Sequence, residues 1–286
     1  MTQHVYLRAA RAIVVSALMS FPSAAALSAQ ILVKTVRADS FTVALNQANV
    51  TGGATVTGTL TMAAPLAKGA TALAGARTTD RVFVQLASSH PQIAEVPARA
   101  VLEAGRASVS FPVVTRGVAA VTSVTVSATL SGQTRTVNLT IAPATLAGIS
   151  VGPATATGGT QVNAAVTLTG PAPAGGSTVS LASSQPFARV PAAVTVPAGA
   201  SQAAFAVTVD HVATQMTSSI RATFGGATQA AQLTVKPVTI GSIEYLSLGG
   251  RVEGGGSGST RVTLTGPAPA GGIPVILSSS HPAILQ

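Results

Sequence analysis

The chain has no cysteine and no tryptophan, and only two tyrosines and seven phenylalanines in 286 residues. Without cysteine there are no disulfides, no thiolate metal sites and no lipidated-cysteine anchor. Acidic residues are almost as scarce: Asp39, Asp80, Glu95, Glu103, Asp210, Glu244 and Glu253 are all of them, and no two stand at motif spacing. That argues against a glycosidase carboxylate pair and against a calcium cage, since each needs several carboxylates brought together. Histidine is limited to His4, His90, His211 and His281. His90 and His281 both sit in a Ser-Ser-His-Pro run, at a slot where Gln185 precedes Pro186 in a related stretch. A slot that accepts glutamine reads as a turn position, not as a base or a metal ligand.

The other chemical motifs are similarly thin. Asp210 and His211 are adjacent, but neighbours on a strand point to opposite faces, so the couple reads as a turn at a strand end. No Gly-x-Ser-x-Gly elbow occurs. The tract from Gly254 to Ser259 lacks the lysine and the following helix of a phosphate loop and reads as a flexible turn. Asn49 and Asn138 open Asn-x-Thr triplets, which matter in a eukaryotic secretory route and are otherwise incidental. The sequence therefore assigns no catalytic residue, no cofactor-binding residue, no metal ligand and no cofactor. For stacking on sugars there is little beyond Tyr245. Phe111 and Phe205 occupy equivalent alternating positions and read as core, while Phe83, Phe187 and Phe224 lie in or beside strands. A carbohydrate-binding platform is not expected on that count.

The N-terminus has a short basic region with Arg8 and Arg11, an apolar run from Ala12 to about Leu27 broken by Pro22, and then the small residues Ser28 and Ala29. This is the layout of a secretory signal peptide, taken as residues 1–29. Cleavage after Ala26, Ser28 or Ala29 is left open. The run is too short and broken for a span of about 20 apolar residues, and no later segment is long and apolar enough for one. Export to the extracellular space, cell surface or periplasm is expected, with no membrane span after signal removal. An exported chain without disulfides fits a bacterial source. The formal charge of +9 falls to +7 when Arg8 and Arg11 leave (9 − 2). The remaining cations are scattered, with no run and no aromatic interleaving. That disfavours nucleic acid and leaves loose attraction to an anionic cell envelope or extracellular matrix.

What the chain has in quantity is repetition. Val166-Thr-Leu-Thr-Gly-Pro-Ala-Pro-Ala-Gly-Gly176 returns as Val262 to Gly272, 96 residues later (262 − 166). Solenoid and propeller repeats run to about 50 residues, so a longer period means a string of domains. The expected divisions are repeat 1 over 30–143, repeat 2 over 144–237 and repeat 3 over 238–286. Repeat 2 shows short runs with two-residue alternation bounded by Gly, Pro, Ser or Asn. They start at Ile149, Val162, Val179, Val194, Phe205, Ile220 and Gln232. Seven such strands predict an all-β fold of antiparallel sandwiches. Repeat 1 aligns with repeat 2 through Val84-Gln-Leu-Ala-Ser-Ser89, Val96-Pro97, Phe111 and Pro143. It carries an insertion of thirteen residues within about 62–81, because Leu60 to Val84 spans 24 where Leu168 to Val179 spans 11. Insertions between strands settle at the surface, so an elongated hairpin or loop is expected there.

The repeated marker, together with Val190-Pro-Ala-Ala-Val-Thr-Val-Pro-Ala-Gly199, Phe205-Ala-Val207 and Leu233-Thr-Val235, resembles the bacterial Ig-like tandem repeats of exported and cell-surface proteins. The resemblance implies an Ig-like β-sandwich and an envelope location, and it brings no shared catalytic residues. Repeat 3 stops before counterparts of Val194–Val196, Phe205–Val209, Ile220–Phe224 and Leu233–Val235. The last sandwich is therefore expected to be incomplete, as in a fragment or a truncated reading frame. The alternative is completion by strands paired from another molecule, because a partial sandwich leaves strand edges open. Pro143 and Pro237 mark short joints, predicting a semi-rigid rod. The functional expectation is a non-catalytic exported structural or adhesive protein. Its Ig-like repeats would space or present contacts at the bacterial cell surface, through loops such as Met62 to Arg81 or Gly249 to Gly258. The alternative is the accessory repeat region of a larger exported enzyme, with a catalytic domain beyond Gln286.

Overall fold

The computed structural model describes residues 41–63, 81–103, 105–246 and 258–278. The expected signal peptide, most of the insertion, the tract from Gly254 to Gly256 and His281 lie outside the described residues. The chain divides into two compact units, Met1–Ala144 and Thr145–Gln286. Among the described residues every regular element is a strand.

In the first unit the strands are β1 (Phe41–Leu45), β2 (Asn49–Thr51), β3 (Thr55–Met62), β4 (Arg81–Ser88), β5 (Ala94–Glu95), β6 (Arg99–Glu103), β7 (Ser108–Thr115), β8 (Thr122–Leu130) and β9 (Gln133–Ala142). They form a four-stranded sheet in the order β1-β3-β7-β5 and a five-stranded sheet in the order β2-β9-β8-β4-β6. Strand β2 runs parallel to β9, and the other pairings are antiparallel. The order is that of an Ig-like sandwich: the first, second, fifth and fourth positions make one sheet, and in the other the last two strands lie side by side next to the third.

Strand β3 shows why the chain chooses this state. Thr55, Thr57, Thr59 and Thr61 alternate with Val56, Gly58, Leu60 and Met62, and the second set is buried. β-Branched threonine suits the wet side of a pleated sheet, while the apolar set fills the core. Val56, Leu60, Phe111 and Val113 pack with Val84, Leu102, Val124, Val126, Leu139 and Ile141 from the facing sheet. Burying each of these side chains contributes about 1.5–3 kcal/mol. The β8–β9 hairpin closes through Ser131 and Gly132, both at positive φ (49° and 80°). Such a two-residue turn matches the right-handed twist of its strands.

The second unit contains β10 (Leu146–Gly152), β11 (Thr155–Thr157), β12 (Gln161–Leu168), β13 (Ser177–Ser183), β14 (Ala188–Arg189), β15 (Ala193–Val196), β16 (Gln202–Val209), β17 (Met216–Phe224) and β18 (Ala227–Lys236). Their sheets, β10-β12-β16-β14 and β11-β18-β17-β13-β15, reproduce the first sandwich strand for strand. The expected all-β, antiparallel, Ig-like fold class is what the chain adopts. The structure refines the seven-strand reading in two respects. The first apolar run is two strands on different sheets, separated at Pro153. A further two-residue strand, β14, lies between β13 and β15.

The same unit holds β19 (Ile240–Tyr245) and β20 (Thr260–Leu264), an antiparallel pair. Its register shifts between Ile240 and Ser242, as that of β10 and β12 shifts between Leu146 and Gly148. The Thr145 amide donates to Thr169 Oγ1 at 2.9 Å, and the Thr239 amide to Thr265 Oγ1 at 3.0 Å. The Gly176 and Gly272 amides donate to the carbonyls of Pro173 and Pro269. The duplicated marker thus folds into the same local turn at both places. β19 is exposed along its whole length.

Candidate contact faces

Among the described residues, the histidine and aspartate positions weighed from sequence, His90, Asp210 and His211, follow strand ends. His90 follows β4; its Nδ1 lies 2.9 Å from Ser89 Oγ, and its carbonyl accepts the amides of Ile93 and Ala94. Gln185 takes the matching place after β13, with its amide donating to Ser183 Oγ and its carbonyl accepting the Ala188 amide. Asp210 follows β16 and receives Arg189 Nε at 2.8 Å and Nη2 at 2.7 Å on the same Oδ2. Its partner is thus an arginine on β14. The His211 ring lies against Gly159, where an added Cβ would fall 2.5 Å from Cε1 and 3.1 Å from Pro267 Cγ. Gly159 has φ +82°, so both its conformation and its surroundings call for glycine.

The Arg189–Asp210 pair has a counterpart in the first sandwich. Arg116 Nη2 lies 3.1 Å from Glu95 Oε2, between β5 and the residue that follows β7. Each member is 94 residues from its equivalent (189 − 95 and 210 − 116), and the signs are exchanged. Glu95 and Arg116, with Pro91 and Gln92, line an open depression of about 500 Å³.

The outward sides of the sheets are mainly hydroxyl and methyl. On β8 and β9 Thr125 Oγ1 donates to Asn138 Oδ1 at 3.0 Å, and Thr129 and Thr134 share a hydroxyl contact at 2.9 Å. In the second sandwich Thr217 meets Thr234 and Thr223 meets Thr228 in the same way. Such cross-strand hydroxyl pairs contribute a few tenths of a kcal/mol up to about 1 each.

One region departs from this plainness, around Phe83, which lies in a strand as expected. That side chain is 48% exposed and stands on the outer face of β4. The Arg99 guanidinium carbon lies 5.1 Å from its ring centroid, from the neighbouring edge strand β6. The ladder sets Arg81 opposite Glu103, Phe83 opposite Val101 and Gln85 opposite Arg99. Arg81 Nη2 and Glu103 Oε1 are 3.3 Å apart. In the second sandwich the same register holds Thr178 opposite Thr195 and Ser180 opposite Ala193. The alternation carried the signal: Val84 and Leu86 are the buried members of β4, which forces Phe83 outward.

Among the described residues no three of His, Cys, Asp and Glu come together as metal ligands, and no helix is long and apolar enough to cross a membrane.

No protein-family model and no curated protein matches the chain. Solved structures with a similar course of the chain include the D0-D1 domain of intimin, at 13% identity and a TM-score of 0.26, covering 69% of this chain and 96% of that one. Invasin, described as a bacterial integrin-binding protein, is 13% identical with a TM-score of 0.43, over 71% of this chain and 42% of its own. The adhesin InvE of Yersinia pseudotuberculosis is 14% identical with a TM-score of 0.32, over 68% and 58%. These likenesses concern the arrangement of strands alone.

Proposed function

We propose that the chain is an exported, non-catalytic structural or adhesive protein of the bacterial cell surface, whose repeated sandwiches space and present contact faces. The observation that supports this best is duplication without specialisation of the scaffold. One sheet order is built twice with matching registers, and on an outer sheet face Phe83 and Arg99 of the first copy answer to Thr178 and Ala193 of the second. Rigid strands with outward side chains set contact geometry better than loops do. Export through residues 1–29 and weak attraction to an anionic envelope by the excess of basic residues belong to the same reading.

The test is retention of the purified chain on whole bacterial cells and on immobilised extracellular matrix, without any other domain present. Saturable retention that survives physiological salt is the expected result. No retention on either surface would overturn the adhesive role and favour the accessory region of a larger exported enzyme.

A further inference from the structure

The two sandwiches share a backbone, so a position at which one of them carries costly surface chemistry and the other does not marks a local task. The outer face of β4 and β6 is such a position. An exposed aromatic ring on a sheet loses contact with water only if something covers it, and large exposed apolar side chains grouped with charge mark interaction sites more often than isolated ones do. Phe83 is half exposed, and Arg99 stacks on it. Among the described residues Arg99 pairs with no carboxylate, whereas both glutamates of this sandwich, Glu95 and Glu103, are already paired with Arg116 and Arg81. The described part of the first sandwich carries five arginines against these two glutamates, an excess of three positive charges. The face therefore offers a flat ring, a guanidinium 5.1 Å from its centroid, Gln85 across the ladder from that arginine, and an unbalanced positive field. From Arg81 to Gln85 it runs for about 14 Å along the strand.

Resting on the adhesive reading above, we infer that this face binds an acidic polysaccharide, one whose sugar rings carry carboxylates. A sugar ring lies on the open part of Phe83, and its carboxylate meets the planar fork of Arg99, the donor geometry that suits a carboxylate. Contact with Phe83 restrains the Arg99 side chain in advance, which lowers the entropy lost on binding. The Arg81–Glu103 pair bounds the face at one end. The second sandwich cannot do the same, because Thr178, Ser180, Ala193 and Thr195 stand at the equivalent positions.

The experiment uses the full chain and polygalacturonate as probe, with fully methyl-esterified polygalacturonate as the uncharged comparison, followed by affinity electrophoresis and titration calorimetry. The expected result is binding of the acidic polymer, with an affinity loss of about three- to tenfold in each of Phe83→Ala and Arg99→Ala. The esterified polymer should bind at least as weakly as the Arg99→Ala variant binds the acid form. Thr195→Ala in the second sandwich should change nothing. Both side chains are exposed, and circular dichroism of each variant verifies the fold. Absence of binding by the unaltered chain, or binding by either variant as tight as that of the unaltered chain, overturns the inference. If the variants still hold to cells and matrix as the unaltered chain does, adhesion stands and this face is not its seat. If the unaltered chain holds to neither surface, the adhesive reading itself fails.

Discussion

Gly58 on β3 lies directly across the ladder from Phe111 on β7, and a Cβ added there would overlap the Phe111 ring. The ring covers the glycine and supplies the packing that the missing side chain would have given, a device that lets a strand tolerate glycine. In Gly58→Ala the new methyl meets an aromatic ring that is itself only 3% exposed. Overpacking of this kind costs about 1–3 kcal/mol, and the relief of glycine's conformational entropy in a strand returns about 0.5–1. The net expectation is a loss of about 1 kcal/mol from the first sandwich, with the second unaffected. The second sandwich provides the comparison: Ala164 faces Phe205 at the same ladder position, so the pair is tolerated once the ring is set for it. Native-state hydrogen exchange read at the amides of β8 and β9 measures the change in one sandwich at a time. Phe111→Leu should restore space, so the double variant should show a coupling of about 1 kcal/mol. A Gly58→Ala protein as stable as the original, or an undiminished cost in the Phe111→Leu background, would refute the steric argument.

Three further outcomes are expected. Ile220→Ala removes a fully buried side chain on β17 and should cost the second sandwich about 2–5 kcal/mol, read as a lower denaturant midpoint in its amide exchange or circular dichroism. Glu95→Arg converts an exposed ion pair into a like-charge pair with Arg116; the loss should stay below about 1 kcal/mol and shrink on raising the salt concentration, checked by urea titration at two ionic strengths. Gly266→Ala places a Cβ 2.7 Å from Thr157 Cγ2 at the end of β11, so amides of β19 and β20 should exchange faster while those of β12 and β16 keep their rates. A two-stranded ladder has little stability of its own, which makes its amides sensitive to such a contact.

The legible part of the fold was the part governed by period. Val162, Val166 and Leu168 alternate cleanly, and the strand they predict is β12. Alternation does not say which sheet a strand joins, so the division of the first run into β10 and β11 at Pro153 was not readable. β5 and β14 are two residues long, too short for any pattern, and are set by the edges of β7 and β16. β18 begins earlier than its apolar residues, because its first half is Thr, Gln and Ala held by pairing with β17. The exposed Phe83 was within reach of the alternation that buries Val84, but assignment to a strand alone did not decide its side. The exchanged ion pairs were also present in the sequence as a sign reversal at a spacing of 94, and only the structure joins Glu95 to Arg116 and Arg189 to Asp210.

That reversal bears on how a ribosome delivers such a chain. Two sandwiches of the same plan emerge one after the other, and adjoining repeats of similar sequence are prone to swapping elements while they fold. If β14 of the later sandwich took the place of β5 on β7 of the earlier one, Arg189 would face Arg116; the reciprocal exchange would set Glu95 against Asp210. Both wrong products bring like charges together, and both correct ones pair opposite charges. Proofreading between neighbours of one plan is thereby written into two surface positions per domain, at little cost to the stability of either.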